Sequence, residues 1–346
     1  MRIGIDARAA VRPELGGVER WARELAARLP ALRPDRYAVL APPRALSHRA
    51  GHAWEQAWLP VRARRAGIDA LLCPANLAPL RGARTIVVIH DAAALRHPEW
   101  YSGLYARWQR AVLPRVARAA LHVITVSEFS RAELCELLGL PAERVSVVPG
   151  GVDAAFAPRP GVATTVRAAL GLPRPYVLCV ASHTARKNLG ALVPLARALA
   201  PDGVHVVVAG GHRPQFAAEA GLGPLRLLGH VPDALLPGLY AGAEVFVLPS
   251  VYEGFGLPVL EAMAAGTPVV AADAAALPET CGGAARLAAP DRDAIADAVT
   301  SLLGDPAERD RLRAAGRVRA AAFSWDRTAR EVDAVVQERG QTPFLQ

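Results

Sequence analysis

Leu248-Pro-Ser-Val-Tyr-Glu-Gly-Phe-Gly-Leu-Pro-Val-Leu-Glu-Ala-Met-Ala-Ala-Gly-Thr-Pro268 is the segment that organises this chain. Ala243-Glu-Val-Phe-Val-Leu248 leads into it, an apolar run rich in β-branched and aromatic residues, which predicts a buried strand. Pro258 suits the first turn of a following helix, where a missing N–H costs nothing. That helix turns Leu260 and Met263 inward and stops at Gly266, before Pro268. Between strand and helix lies Glu253-Gly-Phe-Gly256. A strand, a glycine loop and a helix N-terminus together form an anion site of free N–H groups and a positive dipole end.

Glu253 and Glu261 flank that position, one in the loop and one about a turn into the helix. Two carboxylates beside an anion pocket are suited to accept hydrogen bonds from hydroxyls, as a sugar and a ribose would offer. The plainer alternative is a helix cap plus a solvated glutamate. The buried strand and the glycine loop favour the pocket.

At 346 residues, 52% of them hydrophobic, the chain can form two domains with sizeable cores. The cysteines, Cys73, Cys135, Cys179 and Cys281, lie far apart without a C-x-x-C and read as small buried hydrophobes in a reducing compartment. Met1-Arg-Ile-Gly-Ile-Asp6 is broken too early by charge to be a signal peptide, and no uncharged apolar run of about 18 residues predicts a spanning helix. The expected location is cytoplasmic, with peripheral contact at the inner membrane face.

The net charge of +8 is uneven, because the whole excess lies before residue 161 and the rest of the chain is close to neutral. A nucleic acid, an anionic membrane surface or a phosphorylated substrate would answer such a field, and so would codon bias without any partner. The arginines are scattered and carry no nucleic-acid motif, so no nucleic acid is expected. Of 40 basic residues, only position 187 is Lys. A compact ammonium suits a phosphate in a confined pocket better than a broad guanidinium fork does.

In order, residues 2–6 form the first strand, and Glu14-Leu-Gly-Gly-Val-Glu-Arg-Trp21 opens a helix through about Leu29. Gly16 and Gly17 allow close backbone approach, without a dinucleotide fingerprint. Further strands are expected at Tyr37–Leu40, Ala70–Cys73, Thr85–Ile89, His122–Val126 and Val145–Val148. His90 and Asp91 end the Thr85 strand at a sheet edge where ligands bind, and the His can donate to a substrate oxygen, shuttle a proton or cap the next loop. Ser127 or Ser130 is a helix N-cap.

Pro and Gly thicken from Phe156 to Pro175, marking a linker. A second series follows: strands at Tyr176–Val180, His205–Ala209, Leu225–Leu228, Val245–Leu248, Val269–Ala272 and Ala285–Ala288, then helices at Asp291–Leu303, Ala307–Ala322 and Trp325 to about Gln337. The fold class is therefore α/β: two Rossmann-like domains with parallel, doubly wound sheets facing an inter-domain cleft, 1–160 and 161–324, with 325–346 as a terminal helix. Asp291-Arg-Asp293 sits at a helix start and reads as a cap, so no metal site is expected.

Leu228-Gly-His-Val-Pro-Asp233, Leu239-Tyr-Ala-Gly-Ala-Glu-Val-Phe-Val-Leu-Pro-Ser250, Tyr252-Glu-Gly-Phe-Gly-Leu-Pro-Val-Leu-Glu261 and Ala265-Gly-Thr-Pro-Val-Val270 resemble the retaining GT-B glycosyltransferases of the family-four type, or group 1. Ala185-Arg-Lys-Asn-Leu189, Val88-Ile-His-Asp91, Val126-Ser-Glu-Phe-Ser-Arg131 and Val148-Pro-Gly-Gly-Val-Asp153 extend the resemblance into both halves.

The resemblance implies an acceptor domain followed by a nucleotide-sugar domain. It puts Glu253 on the transferred sugar, Glu261 on the nucleotide ribose, and Lys187 with Arg186 on the diphosphate. It sets His90 facing the donor sugar and Gly16 and Gly17 near the phosphates, with Gly254, Phe255, Gly256 and Leu257 completing the donor loop. It also implies that the terminal helix crosses back onto the amino domain. Two features depart from the pattern: Ala181-Ser182 stands where many members have Gly-Arg, and Glu19 puts a negative charge near the expected phosphates.

The expected activity is metal-independent transfer of a hexosyl unit of mannose, rhamnose or glucose type, with retention and no cofactor. The co-substrate is a nucleotide-diphosphate sugar and the acceptor a glycan, a lipid-linked or a small molecule. A sugar-nucleotide epimerase or phosphorylase on the same fold, and a non-catalytic basic binder of nucleic acid or membrane surface, are the alternatives.

Overall fold

The computed structural model describes residues 1–12, 16–43, 51–172, 175–211 and 221–340. Glu14 and Leu15 of the first glycine loop and Pro173 of the linker lie outside these residues. The chain divides into two compact units: Met1–Arg96, Ala106–Gly151 and Trp325–Gln346 form the first, and His97–Tyr105 with Val152–Ser324 the second.

The first unit holds β1 (Ile3–Asp6), β2 (Tyr37–Leu40), β3 (Ala70–Cys73), β4 (Thr85–Val88), β5 (His122–Thr125) and β6 (Val145–Val147), in the sheet order β2-β1-β3-β4-β5-β6. All five pairings are parallel. The strands are short apolar runs because helices cover both faces, and Ile5, Leu72, Val87 and Ile124 are almost completely buried. The order reverses between β1 and β3, a topological switch point of the kind where open α/β sheets bind ligands.

The helix Trp325–Arg339 packs on the helix Gly17–Leu32 within this unit. Asp333 ties it down, accepting from Arg33 Nε at 2.6 Å and from the Tyr37 hydroxyl at 2.7 Å. The Trp325 ring meets Trp21 edge-on at 6.1 Å. The first helix runs past Pro30 to Leu32, because the proline falls in its last turn and removes only one intrahelical bond.

Asp6 ends β1 inside a charged cluster that no sequence motif announced. Arg8 Nε donates to Glu55 Oε1 at 2.7 Å, and Asp6 Oδ1 accepts from Arg8 N at 3.1 Å and from Trp54 Nε1 at 3.2 Å. Burial, then repulsion from Glu55, pushes the Asp6 carboxyl up from its ordinary value to about 6. An acid whose pKa rises on folding binds its proton more tightly in the native state, so stability falls as pH climbs from about 4 through 6. The loss is at most about 3 kcal/mol. Asp6→Asn keeps the acceptor and removes the titration. Urea unfolding at pH 4.5 and 7.5 is expected to show the variant gaining on the parent at the higher pH; an equal difference at both would refute a titrating Asp6.

The second unit holds β7 (Tyr176–Val180), β8 (His205–Ala209), β9 (Arg226–Gly229), β10 (Val245–Leu248), β11 (Val269–Ala272) and β12 (Arg286–Ala288), in the order β12-β11-β10-β7-β8-β9, again all parallel. This is the dinucleotide-fold strand order, and it reverses between β7 and β10. Gly210 ends β8 at φ 128°, where a Cβ would stand 2.1 Å from the Ala181 carbonyl oxygen, so only glycine allows this approach.

Candidate active site

The loops after β7 and β10 meet at the switch point of the second sheet. Asn188, in the left-handed conformation at φ 53°, donates from Nδ2 to the Pro249 carbonyl at 3.1 Å and to the Pro290 carbonyl at 2.9 Å. Val251 N donates to the Arg186 carbonyl at 2.9 Å. These bonds fix the Ala185–Lys187 turn against the β10 loop and bring Lys187 to Glu253.

Lys187 Nζ donates to Glu253 Oε1, and Arg186 Nη1 lies 3.5 Å from Glu253 Oε2 and donates to the Tyr252 carbonyl at 3.3 Å. Lys187 and Glu253 are both more than nine-tenths buried. Burial pushes the Lys187 ammonium below its usual value, while Glu253 pulls the other way. For Glu253 burial acts upward, but Lys187 and Arg186 outweigh it and hold the carboxyl below the usual carboxylate range. Glu253 is therefore a carboxylate at neutral pH. The buried Oγ1 of Thr184 and Nε2 of His183, in the same loop, make no hydrogen bond among the described residues, and so add groups that a polar ligand could pair.

The helix after the glycine loop runs Leu257–Ala264, with Pro258 in its first turn, and Gly266 (φ 75°) follows its end. Gly256 caps its start at φ 102°, where a Cβ would stand 2.8 Å from Leu277 Cδ2. Leu257 is its first residue, and Gly254 and Phe255 precede the cap. The Phe255 ring packs on Phe323 at 5.8 Å, so its part in the loop is carried by its backbone. Glu261 is buried, and its Oε2 accepts from the Tyr240 hydroxyl at 2.8 Å. Asp291 caps the helix Arg292–Gly304, accepting at Oδ1 from Asp293 N and Ala294 N.

In the first unit, His90 follows β4 and is buried. Its Nε2 bonds the Pro74 carbonyl at 2.9 Å, its backbone N–H donates to Asn76 Oδ1 at 2.8 Å, and its ring meets Trp21 edge-on at 5.5 Å. Burial lowers its pKa, so the ring is neutral at pH 7. A carbonyl can only accept, so the single N–H is on Nε2 and the ring presents Nδ1 as an acceptor. Gly16 N donates to Glu19 Oε2 at 3.0 Å, and Arg12 Nη1 to Glu19 Oε1 at 3.2 Å. The unexpected charge of Glu19 thus serves the start of the helix that Gly17 begins.

The family model for Glycosyltransferase Family 4 matches residues 15–156, and that for Glycosyl transferases group 1 matches 174–305. The O-antigen chain mannosyltransferase B of Escherichia coli is 33% identical over 261 residues, covering 72% of this chain and 68% of that protein. The chain belongs to the group 1, family 4 glycosyltransferases. The first curated relatives of this glycosyltransferase are longer proteins, of which it spans 60% to 68%.

Among solved structures, sucrose-phosphate synthase from Thermosynechococcus elongatus superimposes on this glycosyltransferase with a TM-score of 0.78 over 98% of each chain at 22% identity. HepE of Anabaena in complex with UDP-glucose does so with 0.75, over 98% of this chain and 100% of that one, at 19% identity. At such identities the agreement is one of fold, the two-sheet GT-B architecture. Three contributors to this cluster carry no sequence signal: Asn188, which ties the two loops, and Tyr240 and Tyr252. Each lies inside a motif, but its partner is 21 or more positions away.

Proposed function

We propose that this glycosyltransferase moves a hexosyl unit from a nucleotide-diphosphate sugar to a saccharide-bearing or small-molecule acceptor, with retention and without a metal. The juxtaposition of Lys187, Arg186 and Glu253 beside the Gly256 helix N-terminus carries the reading. Cleavage of a sugar–phosphate bond puts negative charge on the leaving diphosphate and positive charge on the ring. Two cations and a helix dipole supply the first requirement without a divalent ion, each donor typically contributing several kcal/mol. A buried, ionised carboxylate meets the second, as hydrogen-bond acceptor for sugar hydroxyls and counter-charge to the ring. Front-face attack needs no covalent role for Glu253.

Glu261 is assigned to the nucleotide ribose, His90 Nδ1 to a hydroxyl of the transferred sugar, and the loop at Gly16 and Gly17 to the phosphates. The mannosyltransferase likeness favours a hexose of the mannose class. The arginine-rich amino half supports peripheral contact with an anionic membrane surface in the cytoplasm. The test is a thermal-shift panel of GDP-, UDP- and dTDP-sugars, then transfer from the best binder in excess EDTA, with the product's anomeric configuration read by NMR. A shift of several degrees with one base, EDTA-resistant turnover and a retained anomer are expected. Inversion, or loss of turnover in EDTA, would overturn the corresponding part of the proposal.

A further inference from the structure

We propose that Tyr240 is the positioning residue for Glu261, and that the pair makes the site select ribonucleoside over deoxyribonucleoside diphosphates. The inference rests on the donor reading above and extends it to the sugar of the nucleotide. Tyr240 lies in the short helix Leu236–Ala241 ahead of β10, fully buried. Its ring is wedged between Phe156, edge-on at 5.7 Å, and Phe246 at 5.4 Å. Its carbonyl accepts from Thr267 Oγ1 at 2.7 Å, from the turn that follows the Glu261 helix. Side chain and backbone are therefore both anchored, and the hydroxyl reaches Glu261 Oε2 at 2.8 Å from a fixed point.

A glutamate on a helix ordinarily has three rotatable bonds to spend. Holding one oxygen by a buried phenol removes that freedom before the ligand arrives, so less ordering is left for the binding step. A carboxylate has about four acceptor positions, more than a single phenol can use. Fixation also governs selectivity. When a substrate hydroxyl is missing, a mobile carboxylate turns to another partner, whereas a clamped and buried one loses its hydrogen bond outright. Discrimination against a deoxyribose thus depends on the tyrosine, which itself touches no ligand.

The experiment compares UDP and GDP with their 2′-deoxy and 3′-deoxy counterparts by calorimetry, on the parent, Tyr240→Phe, Glu261→Gln and the double variant. The parent is expected to prefer at least one ribonucleotide by about 100-fold over a deoxy form. Tyr240→Phe should bind that ribonucleotide about ten-fold more weakly and the deoxy form almost unchanged, collapsing the ratio. In the Glu261→Gln background the tyrosine change should add less than two-fold. Equal weakening of both nucleotides would reduce Tyr240 to a packing residue and overturn the inference, as would a parent that binds both alike. Should Tyr240→Phe not fold, an undiminished ratio in Glu261→Gln would overturn it instead. A parent that binds no nucleoside diphosphate would fell the donor reading itself, a distinguishable outcome.

Discussion

Lys187→Ala is expected to lower kcat/KM for sugar transfer by about 10³-fold, with the nucleoside diphosphate bound at least ten-fold more weakly. The ammonium is buried against Glu253, so its removal acts twice. On the proposed mechanism it withdraws a compact charge from the leaving diphosphate. It also leaves a buried carboxylate with Arg186 as the remaining cation, at 3.5 Å. Breaking a buried pair by deleting one partner typically costs about 3–5 kcal/mol, so the melting temperature falls as well. Lys187→Arg separates charge from shape. If a positive charge is all that the position needs, Arg restores transfer, but a planar guanidinium cannot occupy the space of an ammonium on this short turn. Activity in Lys187→Arg is therefore expected to stay below about a tenth of the parent value. Transfer within three-fold of the parent in Lys187→Ala, measured at saturating acceptor, would remove the cation from the mechanism.

The lone lysine shows where the sequence speaks clearly. Thirty-nine arginines make one Lys conspicuous, and the apolar runs flanking Lys187 and Glu253 read as the strands that became β7 and β10. Parallel sheets are legible for the same reason: strands covered on both faces have no polar alternation, and the interruptions are glycine loops. Strand ends are less so. The Thr85 strand stops at Val88 rather than Ile89 because Asn76 takes over, its N–H bonding the Val88 carbonyl and its side chain the His90 N–H.

Partners distant in sequence were illegible. Nothing near Asp6 announces Glu55, and nothing near Glu261 announces Tyr240, because each contact is made by chain reversals that periodicity does not encode. The grouping of His97–Tyr105 with the second unit is of the same kind. There His97 and Trp100, stacked at 3.9 Å, meet the Tyr252 ring edge-on at 5.9 and 6.1 Å, a cluster that no local pattern signals.

In the sequence pattern Lys187 is expected on the phosphate and Glu253 on the sugar, two separate roles. The structure joins them, and the consequence is measurable. In the structure Glu253 pairs with the two cations that the proposal assigns to a diphosphate, so on that proposal binding exchanges one anion for another. Glu253→Gln is expected to lower transfer by about 10²–10³-fold, since the carboxamide neither balances the ring's developing charge nor accepts as strongly. The same change should tighten the bare nucleoside diphosphate by about three- to ten-fold, because a neutral amide competes poorly for Lys187 and Arg186. Stability should move the opposite way. Glu253 has a depressed native pKa, so its contribution is present above the ordinary glutamate value and lost as pH falls through the native one. The parent therefore loses stability toward pH 4 in a way that Glu253→Gln does not, and the two unfolding curves approach each other in acid. A weaker transferase that binds product more tightly is a signature that general loss of structure cannot produce. If diphosphate affinity falls in step with transfer, Glu253 aligns the cations rather than occupying them, and the exchange account is wrong.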